Sequence, residues 1–210
     1  MYAELYGFTG SGKTTLVQRL CGASAGGRRI LCRKRRLLDV SSPVALACAA
    51  KREVAFLRFL SKYNLSRAPF KKSFAMNLYV HEHTSGRGDT LFLNDHGFLM
   101  GLLDIVVWSR LQGQPFRLSS QFMNDFLEFT GLCKRDLVVY VKVDRTEARS
   151  REETRQKWKG RRGERELDQT YAAIEEALPM IERQVHPHVV ENDTLERGVR
   201  EVLSLLEASK

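Results

Sequence analysis

The residues best suited to chemistry stand together near the start of the chain. There Gly7-Phe8-Thr9-Gly10-Ser11-Gly12-Lys13-Thr14-Thr15 satisfies the pattern G-x-x-x-x-G-K-[ST] in full, between a strand-like run and a helix-like run. Glycines let the backbone curl until several N–H groups point at one anion, and the helix that begins here turns its positive end to the same place. The cradle is therefore expected from Gly7, Thr9, Gly10, Ser11 and Gly12, with Lys13 reaching the β and γ phosphates of a nucleoside triphosphate and Thr15 placed for the α phosphate. Thr14 offers a hydroxyl to Mg²⁺, a small hard cation that takes oxygen ligands and keeps several waters. ATP is the expected substrate and Mg²⁺ the expected cofactor.

Other users of such a loop carry further signatures. The D-x-x-G turn of GTPases is not met by Asp95-His96-Gly97-Phe98, and the chain has no N-K-x-D guanine contact. An L-S-G-G-Q-like transporter signature and the larger framework of a helicase are also missing from these 210 residues. A small kinase fits better. Asp95, at the end of the strand-like run Thr90 to Asn94, is expected to hold a water of Mg²⁺ or to orient the acceptor, unless it merely caps the next helix. Arg151 and Arg155 lie four apart, which puts them on one helical face, with Arg161 and Arg162 following in a Gly-rich stretch. Such a cluster can neutralise the charge that spreads over a transferring phosphoryl group. Equally, each arginine can pair at the surface with Glu147, Glu152 or Glu153.

The elements that must position these groups alternate regularly. Strand-like segments are expected at Tyr2 to Tyr6, Arg36 to Val40, Thr90 to Asn94, Leu137 to Val143 and His188 to Val190. Helical spacing is expected over Thr14 to Cys21, Val44 to Tyr63, Phe98 to Gln112, Gln121 to Leu132, Thr146 to Lys159, Leu167 to Val185 and Leu195 to Glu207. Parallel strands need a crossover, usually helical, so this alternation predicts an α/β fold. Its form is the three-layer P-loop NTPase arrangement: a mainly parallel five-stranded sheet, helices on both faces and a small lid at about 151–165, all in one domain over 1–210.

Composition agrees. Hydrophobic residues make up 43% and charged residues 28%, as in ordinary globular domains. The longest apolar run, Phe98 to Trp108, carries Asp104 and is too short to span a bilayer. It reads as a buried helix that could also serve a homodimer. A strand starting directly after Met1 leaves no room for an export signal, so the expected location is the cytoplasm. Cysteines 21, 32, 48 and 133 show neither zinc-ligand nor disulfide spacing. The formal net charge of +9 owes much to Arg28–Arg36, read as a solvated edge because it lacks the interleaved aromatics that stack bases. Nucleic acid is thereby a less favoured partner than a small molecule. Phe56, Phe59, Lys62, Arg67 and Phe70 read as core and surface residues or as an acceptor-stacking group.

Taken in order, the loop, the run Leu91-Phe92-Leu93-Asn94-Asp95, the apolar helix ending Ser109-Arg110-Leu111-Gln112-Gly113 and the segment Val141-Lys142-Val143-Asp144-Arg145-Thr146-Glu147-Ala148 resemble the thymidylate kinase branch of the nucleotide and nucleoside kinases. The resemblance extends to His188-Val189-Val190-Glu191-Asn192-Asp193-Thr194-Leu195-Glu196. It implies an arginine-bearing lid over Arg151 to Arg165 and places Asn192 and Asp193 beside the adenine. It implies transfer of the γ phosphate of Mg-ATP to a nucleotide or nucleoside-like acceptor. Two departures touch the acceptor. His96 stands where the family has an arginine for the acceptor's phosphate, and Asp39-Val40-Ser41-Ser42-Pro43 replaces an R-E-P-like element. In deoxynucleoside kinases, related in shape, a carboxylate after the second strand acts on a sugar hydroxyl, and Asp39 holds a similar place. The competing expectation is a P-loop ATPase that couples ATP binding and hydrolysis to a protein or nucleic-acid partner.

Overall fold

A computed structural model describes residues 1–32, 43–65, 71–84, 90–114, 116–132, 136–157 and 164–209. Among them the elements run β1 (Tyr2–Tyr6), α1 (Lys13–Leu20), β2 (Ser24–Ala25), β3 (Arg28–Cys32), α2 (Pro43–Lys62), α3 (Lys71–Thr84), β4 (Thr90–Asn94), α4 (Phe98–Leu111), α5 (Ser120–Thr130), β5 (Leu137–Lys142), α6 (Arg145–Lys157), α7 (Glu164–Val185), β6 (His188–Glu191) and α8 (Leu195–Ala208). The sheet order is β2-β3-β4-β1-β5-β6. Five strands, β3-β4-β1-β5-β6, are parallel as expected, and the two-residue β2 adds an antiparallel edge to β3.

Central β1 is buried along its whole length, because both faces of a parallel sheet are covered. Period-two alternation sends Tyr2 and Tyr6 to one core and Ala3 and Leu5 to the other. The first core packs the aromatic and aliphatic residues of α2, α3, α4, α5 and α7, while the second takes Leu16, Val17 and Leu20 of α1 and Val202 and Leu206 of α8. α4 is a core helix: Phe98, Leu99, Leu102, Leu103 and Ile105 are buried inside the chain. Phe56 and Phe59 belong to the same core, with Phe56 stacked on Phe74 at 3.9 Å between ring centres, so they do not stack an acceptor. Lys62 pairs with Asp125, while Arg67 and Phe70 lie outside the described residues.

The expected strand Arg36 to Val40 lies outside the described residues, and a strand that was not expected, Arg28–Cys32, runs parallel to β4. This puts the first half of the basic run in the sheet, where Ile30 and Cys32 are buried and Arg29 is exposed; Arg28 donates to the carbonyl of Leu206 at 3.0 Å. Helix α3 was not expected, since the face that carries Phe74 and Leu78 also carries buried Asn77 and His81, which interrupt an apolar stripe. No described helix is long and apolar enough to cross a membrane.

Candidate functional site

The glycine-rich loop leaves β1 and ends in α1. Gly10 and Gly12 adopt φ of +86° and +85°, in the left-handed region that side chains other than glycine rarely enter. The turn is closed by Ser11 N–H on the Phe8 carbonyl at 3.1 Å, and Gly12 then serves as N-cap of α1 without any side-chain cap. The start of α1 is thus without a side-chain cap, as suits a loop expected to hold an anion. Lys13 is buried, with its ammonium on the carbonyls of Gly7 (3.1 Å) and Phe8 (2.6 Å) and on Ser11 Oγ (3.1 Å). Thr14 and Thr15 are exposed on the first turn.

Three neighbours fix the loop. A β-carbon on Gly10 would stand 2.2 Å from the Ala148 carbonyl oxygen, so the loop lies directly on the first turn of α6. Tyr171 of α7 donates its hydroxyl to the Thr9 carbonyl at 2.8 Å. Asn192, after β6, is buried and donates through Nδ2 to the Ser11 carbonyl at 2.6 Å, while its own amide N–H reaches the Lys142 carbonyl at 2.9 Å. Its side chain therefore supports the loop from beneath. Asp193 is exposed; the Thr194 amide and Arg197 beside it hold its carboxyl below the ordinary range, a helix-start arrangement for α8.

One turn beyond Ala148, Arg151 pairs with Glu147 at 2.5 Å and reaches the Asn192 carbonyl at 3.4 Å, with a guanidinium nitrogen 3.7 Å from where a Gly12 β-carbon would be. Arg151 thus makes a surface ion pair and also lies beside the loop. Arg155 lies one turn further along α6 with its side chain outside the described residues, as are Arg161, Arg162 and Asp39 entirely.

The parallel register pairs Glu4 with Asn94, which carries Asp95 and His96 to the edge from which the loop springs. Asp95 is buried and His96 exposed. Their turn is held by His96 N–H on Asn94 Oδ1 (3.0 Å) and by Asn77 Nδ2 on the His96 carbonyl (2.7 Å). The first amides of α4 are capped by Glu4: Phe98 N–H donates to Oε2 at 2.8 Å, and Leu99 and Met100 N–H donate to Oε1 at 2.6 and 3.2 Å. A carboxylate from another strand thus does the work that a helix-capping Asp95 would have done. Sequence reading missed Glu4; its signal was a charge inside an apolar strand.

Burial raises the Glu4 carboxyl from 4.5 to about 7, against the lowering effect of the Met100, Phe98 and Leu99 amides and the Tyr2 hydroxyl. Below pH 4.5 the group is neutral folded and unfolded. Between 4.5 and about 7 the unfolded chain releases a proton that the folded chain keeps, so the contribution of Glu4 to stability falls as pH rises, by about 3 kcal/mol in all, and levels off above. Melting temperature measured against pH should therefore drop across this window for the wild type relative to Glu4→Gln. Parallel curves for the two proteins would contradict it.

The residues expected to serve Mg²⁺ are one hydroxyl, Thr14, exposed on the first turn of α1, and one carboxylate, Asp95, buried just after β4. That suits a cation bound chiefly through phosphate oxygens and waters. Among the described residues there is no cluster of three or more His, Cys, Asp or Glu that would form an all-protein cage.

No protein-family model and no curated protein matches the chain. Solved structures do. Deoxyadenosine kinase from M. mycoides with bound dATP matches at a TM-score of 0.56 and 15% identity, over 99% of this chain and 100% of that one. The same kinase with bound dCTP gives 0.54 and 15%, and with dCMP and a flexible dCDP it gives 0.52 and 13%, at the same coverage. The likeness is one of architecture, and it runs the length of both chains: this protein shares the fold of that deoxyadenosine kinase.

Proposed function

We propose that this protein is an ATP-dependent phosphotransferase that moves the γ phosphate of Mg-ATP to a hydroxyl of a nucleoside-like small molecule. The observation that carries this reading is the juxtaposition of a fully formed phosphate loop, with Lys13 drawn over it, and the Asp95–His96 turn brought alongside by the β1–β4 register. Phosphoryl transfer needs positioning and charge neutralisation more than covalent help. Inward amides of the loop hold the phosphate chain, Lys13 meets the oxygens on which charge builds, and Arg151 approaches from α6, the helix that also carries Arg155. Thr14 and Asp95 would hold Mg²⁺, which when bound would supply further neutralisation of phosphate charge. Asp95 also stands where an acceptor hydroxyl would enter.

A hydroxyl acceptor is favoured over a monophosphate by two features of the acceptor edge. His96 occupies the place where a phosphate-binding arginine would be expected, and the first amides of α4 are taken by Glu4. The solved structures of similar fold are of a deoxynucleoside kinase, which agrees with this choice. Purified protein given γ-labelled ATP and Mg²⁺ with a panel of deoxynucleosides, nucleosides, their monophosphates and sugars should label a nucleoside at least about tenfold better, in kcat/KM, than any monophosphate, the margin that one buried charge or hydrogen-bond mismatch produces. Preferred labelling of a monophosphate would overturn the acceptor assignment. Hydrolysis with no acceptor labelled would favour an ATPase coupled to a macromolecular partner.

A further inference from the structure

Glu4 has no part in phosphate binding, yet its environment is more demanding than any other carboxylate described in this site. It is fully buried on β1, three residues before Gly7, and both oxygens are used: Oε1 by the amides of Leu99 and Met100, Oε2 by the amide of Phe98 and, at 3.4 Å, by the Tyr2 hydroxyl. The space is made for it. Gly97 is the N-cap of α4, and a β-carbon there would stand 2.2 Å from Glu4 Cδ.

A serine at position 97 would cap α4 locally without placing a carboxyl group in the core. A buried carboxylate carried on another strand costs desolvation and offers something a local cap lacks: it ties the helix start to β1, the strand that continues into the phosphate loop. The tie is extended by a buried chain of amides. Asn94 Nδ2 lies 3.3 Å from both Tyr2 Oη and Asn77 Oδ1, and Asn77 and Asn94 grip the backbone of His96 from either side.

We propose that Glu4 is a positioning residue for the acceptor side of the site, an internal carboxyl group that locks the Asp95–His96–Gly97 turn to the base of the phosphate loop. The proposal rests on the phosphotransferase reading for its effect on turnover and on the geometry alone for its effect on the turn. Loss of the tie leaves the loop intact and lets the turn drift, and misplacement of a reacting group by about 1 Å costs on the order of 100-fold in rate.

Two variants test it. Glu4→Gln keeps the shape and replaces one acceptor by a donor. Glu4→Ala combined with Gly97→Asp moves the capping carboxylate onto α4 itself, in the volume that Glu4 vacates. The double variant is expected to melt within a few degrees of the wild type and to bind ATP within about threefold, since its α4 amides are capped and its loop is untouched. Both variants should lose about 100-fold in acceptor kcat/KM, and hydrogen exchange at amides 95–100 should quicken at least about tenfold. Full recovery of turnover and exchange protection in the double variant would reduce Glu4 to a helix cap and overturn the proposal, as would unchanged turnover and exchange in Glu4→Gln. If the wild type labels no acceptor, the functional reading fails, and exchange at 95–100 still decides the role of Glu4.

Discussion

Replacing Lys13 by alanine is expected to lower phosphate transfer by at least about 10³-fold, the loss that follows removal of one preorganised charge from a phosphoryl-transfer site. Its ammonium is buried between the carbonyls of Gly7 and Phe8 and the hydroxyl of Ser11, a position from which it needs little movement to meet a β or γ phosphate. Removal leaves those carbonyls without this donor, so some stability goes too, about 1–3 kcal/mol. That is a shift of a few degrees in melting temperature for a chain of this size, measurable by calorimetry and small beside the rate effect. Lys13→Arg should also fail, because a planar guanidinium cannot occupy the pocket of a compact ammonium. Unchanged ATP affinity and turnover in Lys13→Ala would contradict the assignment of the loop.

The second large effect is expected from Gly10→Ala. The new β-carbon would sit 2.2 Å from the Ala148 carbonyl oxygen and 3.0 Å from its carbon, both backbone atoms, on a residue at φ +86°. Left-handed strain alone costs about 1–3 kcal/mol, and the clash adds to it unless α6 withdraws. Withdrawal carries Arg151 away from the loop, so ATP affinity should fall at least about tenfold together with a drop of several degrees in melting temperature. Gly22→Ala is the control. Gly22 has φ +89° with nothing within 4 Å of its would-be β-carbon, so it bears the backbone strain without the clash, and ATP affinity should be unchanged. Equal loss of affinity in both variants would mean that strain, not contact with α6, is what matters at Gly10.

The turn of the loop was legible in the sequence because its information is local: nine adjacent residues carry both the turn and the chemistry proposed for it. Helices with a continuous apolar stripe were legible for the same reason, as with α5 and α8. What escaped depends on partners distant in sequence. β3 opens on two adjacent arginines and buries Ile30 and Cys32 near the sheet edge, and its identity comes from pairing with β4 some sixty residues later. α3 conceals its inward face behind Asn77, a residue buried because it binds the His96 carbonyl. Glu4 meets its helix across 94 residues of chain, and no spacing rule reaches so far. Asn192 was associated with the adenine by resemblance, and the structure adds that its side chain sits under Ser11, which explains why an amide belongs there whatever the base contact.

These distant ties converge on one object. β1 bears Glu4 and runs into the loop; β4 and α3 hold the turn of Asp95; α6, α7 and the β6–α8 connection brace the loop through Ala148, Tyr171 and Asn192. Phosphorus NMR of the wild-type protein with Mg-ATP and a mixture of deoxynucleosides tests whether that object is a phosphoryl donor site. A new phosphomonoester resonance growing in step with ADP is the predicted result. Growth of inorganic phosphate alone, at the same rate with and without the nucleosides, would contradict the account.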